Sequence, residues 1–148
     1  MKKQLLKLSY SVDFELVGII SHLQEYKVAH HLNSHLQLGF KRVEDWQLNN
    51  ENKGKKLNTG SFFRQYFYKN DILRCTFHLL QNKALNEVCL PEFSIIDYLL
   101  IIFGETDDIF TKDLLKKIKL ISGINSALML DVNKIKNIEN ILIDEAIF

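Results

Sequence analysis

Two carboxylates and a phenol crowd one short stretch of this chain: Glu92, Asp97 and Tyr98, with Pro91 just before them. Carboxylates in unlike surroundings can divide acid and base work, and a tyrosine hydroxyl can orient a substrate. No nucleophile–base pair stands beside them, and a covalent mechanism needs one. A structural role uses the same residues differently. The proline sets the backbone, Asp97 accepts loop N–H groups or pairs with Arg64 or Arg74, and Tyr98 buries its ring while its hydroxyl finds a partner. The four residues are therefore read as a structural or binding segment, and no catalytic residue is assigned.

Histidines are the second group. His22, His30, His31 and His35 lie close together, and His31 and His35 stand four apart, a spacing that puts two imidazoles on one helix face as zinc ligands need. The residues between them are Leu32, Asn33 and Ser34, so the glutamate of HExxH is missing and no third ligand is marked. Half-buried or surface histidines are the plainer reading, and neither a metal nor any other cofactor is expected. The aromatic run comes third. In a strand, Phe63 and Phe67 would share one face, and Phe62, Arg64, Tyr66 and Tyr68 the other. Left open, that second face could dock another protein or stack single-stranded bases, with Lys53, Lys55 and Lys56 holding phosphates. Aromatic packing in a core explains it as well. A row of lysines at 112, 116 and 119 reads as the solvated face of a helix. No GxxxxGK[ST], GxGxxG or GxSxG pattern is present, so nucleotide-binding and serine-hydrolase readings lack their usual anchors.

The elements that must position these groups follow from hydropathy. Gln4 to Tyr10 reads as a strand. Asp13 then caps a helix whose apolar stripe is Leu16, Ile19, Ile20 and Leu23, with Gly18 marking close approach to a neighbour. A second helix runs from about Tyr26 to Gln37 and Gly39 ends it. Strands are expected over 40–48, 61–69 and 72–80, with 49–60 an exposed hairpin loop and Asn70-Asp71 a short turn. Residues 82–93 are irregular. Tyr98 to Phe103 is apolar on both faces and so is an inner strand. Thr106 or Asp107 caps a helix with Phe110, Leu114, Ile118 and Ile121 on its core face and lysines toward its C-terminal end, which suits the helix dipole. A last strand covers 125–131, and 132–148 is a tail without clear period. The fold class is thus α+β: a mixed, mainly antiparallel sheet with two N-terminal helices and a C-terminal strand–helix–strand unit, one half of a ferredoxin-like arrangement.

Bulk properties set the outer limits. A chain of 148 residues with 47% hydrophobic and 25% charged residues suits a single domain over 1–148 that folds without disulfide or metal. Cys75 and Cys89 lack CxxC spacing and read as buried thiols. A net charge of +1 argues against a global field that would draw nucleic acid or an anionic membrane. Lys7 interrupts the early apolar run and no cleavage site follows, so a cytoplasmic protein with no membrane partner is expected.

The stretch Leu90-Pro91-Glu92-Phe93-Ser94-Ile95-Ile96-Asp97-Tyr98 resembles the signature of the IPExxxVDY family, with Leu90 in place of its isoleucine and Ile96 in place of its valine. Asp13 to Leu23, Leu32-Asn33, Arg42 to Asp45 and Gly104-Glu105 are similar as well. The resemblance implies a small bacterial protein and carries over no activity, substrate or cofactor. Three functions follow from these readings. The first is a non-catalytic binding or adaptor protein, homodimeric through the aromatic sheet face. The others are a module for RNA or single-stranded nucleic acid, and a small enzyme built on Glu92, Asp97 and Tyr98.

Overall fold

A computed structural model of the chain describes residues 14–47, 62–84, 87–104, 106–136 and 138–141. The expected strand at Gln4–Tyr10, the cap at Asp13, the loop at 49–60 and the end of the tail lie outside the described residues. The class is α+β, as expected. Six strands form one sheet: β1 (Phe14–Ser21), β2 (Lys41–Gln47), β3 (Phe62–Asn70), β4 (Cys75–Gln81), β7 (Tyr98–Gly104) and β8 (Ile124–Met129). Their order is β2-β3-β4-β7-β1-β8, and every pairing is antiparallel. Two short strands, β5 (Lys83–Ala84) and β6 (Glu87–Val88), pair with each other beside it. The helices are α1 (Glu25–Leu36) and α2 (Asp108–Lys119).

The segment expected to be the first helix is a strand instead, so the described residues hold one of the two expected N-terminal helices. Leu16, Ile19 and Ile20 do fall at helical spacing. However, Phe14 and Leu16 pack on one side of the sheet while Val17 and Ile19 pack on the other. A strand buried on both faces reads as a nearly unbroken apolar run, and such a run imitates a helical stripe. Gly18 is a close-approach position all the same. A Cβ there would lie 2.8 Å from Ile96 Cδ1 and 3.0 Å from Leu130 Cδ1.

The inner strand is where the aliphatic run put it. Leu99, Leu100, Ile101 and Ile102 of β7 are all buried, between β4 and β1. Since β1 is antiparallel to both β7 and β8, those two run parallel with β1 between them, so β7-α2-β8 is a split strand–helix–strand unit. Asp107 caps α2 by accepting the Phe110 N–H at 2.8 Å, and Leu114, Ile118 and Ile121 are buried beneath. Helix α1 ends not at Gly39 but at Gln37, which adopts left-handed backbone with φ 58°. The chain is held there by Asn33, whose side chain accepts the Phe40 N–H at 2.8 Å and donates to the Phe40 carbonyl at 3.1 Å. That reciprocal pair does locally what a glycine turn would have done.

The sheet has a core on each face. Val28, Ala29 and Leu32 of α1, with Leu114 and Ile118 of α2, cover one side over Val17, Ile19, Tyr66, Phe77, Leu79, Leu100 and Ile102. The other side buries Leu16, Phe63, Leu80, Leu99 and Ile101 under Leu90, Ile96, Leu130, Ile138 and Ile141, which come from loops and single turns of 3-10 helix. No helix of the described residues is long and apolar enough to cross a membrane.

Candidate functional site

The signature segment approaches the second face from the irregular stretch before β7. Leu90 precedes a 3-10 turn, Pro91–Phe93, whose first position the proline suits because no N–H is needed there. Each polar group of the signature then meets main chain from a different part of the fold. Asp97 Oδ2 accepts the Ser21 N–H at 2.9 Å, where β1 ends, and the Asp97 N–H itself donates to the Ile19 carbonyl at 3.0 Å. The Tyr98 hydroxyl donates to the Leu23 carbonyl. Its ring is buried, and that burial, reinforced by the Glu25 and Asp97 carboxylates, pushes the phenol up to about 12. Glu92 Oε2 accepts the Lys136 N–H, which pins the chain after β8. Ser21 completes the knot, its hydroxyl donating to the Gly123 carbonyl at 2.6 Å.

These contacts decide what the segment can do chemically. Asp97 pairs with neither arginine suggested for it. Its ion-pair partner is Lys83, at 3.2 Å, and Arg64 instead meets Glu25 of α1 at 2.8 Å. Both Asp97 oxygens are therefore engaged by the fold itself, one with the Ser21 N–H and the other with the Lys83 ammonium. A tyrosine raised to about 12 donates its hydrogen bond and stays protonated at neutral pH. The two cavities bordering the β3–β4 turn are lined by none of Pro91, Glu92, Asp97 and Tyr98. The geometry is that of a fastener joining β7, β1 and the tail.

Asn82 is the member of this cluster that sequence reasoning missed. Its side chain is fully buried, donates to the Ile96 carbonyl at 2.8 Å and the Phe93 carbonyl at 3.1 Å, and accepts the Leu90 N–H at 3.0 Å. Its own backbone bonds to Asp97 and Cys89. One amide thus satisfies three main-chain groups of a loop that has no ladder of its own. In sequence it looks like an ordinary loop asparagine. The apolar flanks, Leu79-Leu80 before it and Cys89-Leu90 after it, were the available signal that it would be buried. Asn140 adds a second tie, donating to the Cys89 carbonyl at 2.9 Å. Both Cys75 and Cys89 are free and buried, as expected, and burial pushes the Cys89 thiol up to about 12.

The remaining candidates are dispersed. The imidazoles of His31 and His35 are neighbours on α1, their centroids 5.8 Å apart, and His35 Nδ1 is 3.0 Å from the His31 carbonyl oxygen. Among the described residues no group of three or more potential metal ligands gathers anywhere. The aromatic strand alternates as read, but the face holding Tyr66 and Tyr68 is not open. It lies under α1: Tyr66 is 8% exposed and shares a core with Val28, Ala29 and Leu32, while Tyr68 stacks on Phe77. Of the three aromatics on that face, only Phe62, at 56%, is left well exposed, beside an Arg64 already paired to Glu25. Lys53, Lys55 and Lys56 lie outside the described residues. Lys112, Lys116 and Lys119 form a solvated helix face, as read. No pattern in the sequence marks His78. It is fully buried in β4 between the rings of Phe67 and Phe103, and burial pushes its imidazole down to about 4.

No protein-family model matches the chain, and no curated protein matches it.

Proposed function

We propose that this chain is a non-catalytic binding protein that works as a twofold pair of copies, joined along the outer edge of β8, and that it belongs to the IPExxxVDY family on the strength of its Pro-Glu…Asp-Tyr segment. The observation that carries the pairing is the difference between the two edges of the sheet. The β2 edge bears Lys41, Arg42, Glu44 and Asp45, and its pairing with β3 breaks register between Val43 and Trp46. Charges and bulges are the devices that keep an edge strand from accepting another strand. The pairing of β8 with β1 also shifts register, between Ile20 and Ser21, so the edges differ in charge: β8 has neither a charge nor a proline and reads Ile124-Asn125-Ser126-Ala127-Leu128-Met129. Leu128 and Met129 are 38% and 41% exposed. Among the described residues no strand pairs with the outer side of β8.

A second copy suits this edge. Two β8 strands related by a twofold axis run antiparallel, the geometry in which a neutral strand pairs with itself without opposing like charges. A net charge of +1 adds little repulsion between whole molecules. The aromatic face, expected to be the dimer surface, is covered by α1 and takes no part.

Sedimentation equilibrium over a range of concentrations tests the proposal. A dimer is expected for the native chain, and a monomer of unchanged circular dichroism for Leu128→Lys with Met129→Lys. A native chain that stays monomeric, or a doubly substituted chain that stays dimeric, refutes it. A monomer that dimerises only when residues 1–11 are removed would assign the edge to the chain's own Gln4–Tyr10 segment instead.

A further inference from the structure

A cavity of about 330 Å³ opens at the turn between β3 and β4, where the end of β7 closes it from behind. Its size falls in the range of small-molecule sites. Two cations border it, Lys69 and Arg74, and one carboxylate, Asp71; Phe103 is the large apolar residue of the lining. Among the described residues neither cation is within ion-pair distance of a carboxylate.

The backbone beneath the cavity is held in a costly shape. Arg74 has φ 56°, the left-handed region that residues with a Cβ rarely occupy. The chain is pressed into this turn from behind. A Cβ on Gly104 would fall 2.4 Å from the Arg74 carbonyl oxygen and 2.8 Å from Cys75 Cα, so only glycine lets the two strand ends meet there. The turn is closed by Asn70, whose side chain accepts the Leu73 N–H at 2.9 Å and donates to the Tyr68 hydroxyl at 3.0 Å. A glycine at position 74 would hold the same turn without strain, yet the chain places there a long cation that lines a cavity and, among the described residues, has no carboxylate partner. Strain of this kind persists where the surrounding structure over-determines it, and it gathers at ligand sites.

We infer that this cavity binds a small organic anion, a phosphate or carboxylate attached to a flat apolar body, with Arg74 and Lys69 on the anion and Phe103 against the body. Guanidinium matches the geometry of either oxyanion, and the lysine adds a point charge. The site is independent of the β8 edge, which lies on the far side of β7 and β1.

Amide NMR titrations with phenyl phosphate, benzoate and inorganic phosphate test it. Saturable shifts centred on Arg74, Thr76 and Gly104 are expected with phenyl phosphate or benzoate, and whichever binds more tightly identifies the oxyanion. Inorganic phosphate should bind more weakly than phenyl phosphate, because it lacks the body that meets Phe103. Arg74→Gly should weaken binding about tenfold or more, the loss expected for a charge-assisted hydrogen bond. The same substitution should raise the melting temperature, because it relieves the left-handed residue. Lys69→Ala should weaken binding and leave the melting temperature unchanged. Shifts spread over the whole surface, no saturation with either aromatic anion, or an Arg74→Gly chain that binds as the native one does would overturn the assignment.

Discussion

The two faces of the sheet are covered by different means. On one, α1 and α2 lay down apolar stripes, and main-chain groups at a helix end are met locally: Asp107 serves the first turn of α2, and Asn33 serves the chain just after α1. On the other, the cover is loop and single turns, with no repeating backbone ladder. There the main-chain groups are satisfied by side chains from distant positions: Asn82 for residues 90–96, Asp97 for Ser21, Glu92 for Lys136, Asn140 for Cys89. Both faces bury aliphatic side chains completely, but the second depends on a few amides and carboxylates whose loss would leave several buried groups unpaired at once. A helix loses one cap at a time, whereas such a fastener fails as a unit.

This contrast predicts where the molecule is fragile. Asn82→Ala should cost about 3 kcal/mol, since it leaves the buried Leu90 N–H and Ile96 carbonyl without partners, while the Phe93 carbonyl keeps the Ile96 N–H. Urea unfolding followed by circular dichroism measures it, and a cost below about 1 kcal/mol would mean the loop cover needs no fastening. Acid should act on the same face through His78. Its folded pKa of about 4 lies below the ordinary 6.5, so the fold prefers the neutral ring. That preference stabilises the protein above pH 6.5 and is lost as pH falls from 6.5 toward 4, about 3 kcal/mol in all. Melting temperatures across that window should fall for the native chain more steeply than for His78→Phe; parallel curves would remove His78 as the cause. The helical face should respond least. Asp107→Ala should cost about 1 kcal/mol, the usual loss of a single N-cap. If the same unfolding assay showed it to cost more than Asn82→Ala, the helical face would be the more fragile of the two.

Legibility followed the range of the interactions. Helix α2 could be read because cap, apolar stripe and charge order all sit within or directly beside its own twelve residues. The inner strand β7 could be read because its residues are apolar on both sides. The same property misled the reading of β1, where Val17, Ile19 and Ile20 fit two periods and only pairing with β7 and β8 decides between them. The Pro91-Glu92…Asp97-Tyr98 segment stood out in sequence as a place of chemistry, and its structural alternative was visible as well. Its partners were not: Ser21 is 76 positions from Asp97, and Lys136 is 44 from Glu92. The cavity at Arg74 left no trace, because it depends on a left-handed turn and on a glycine 30 positions later in the chain.

By itself, the order of residues determined the α+β class, the two described helices, the meander of β2, β3 and β4, and the burial of both cysteines. These are consequences of hydropathy period, caps and turn residues, all local quantities. Tertiary structure alone decided that β1 is a strand between β7 and β8, that the tyrosine face lies under α1, and that Glu92 and Asp97 each hold a distant main-chain N–H with one oxygen. Those outcomes depend on which distant segments meet, and a hydrogen bond across 76 positions leaves no periodic mark in either of the segments it joins.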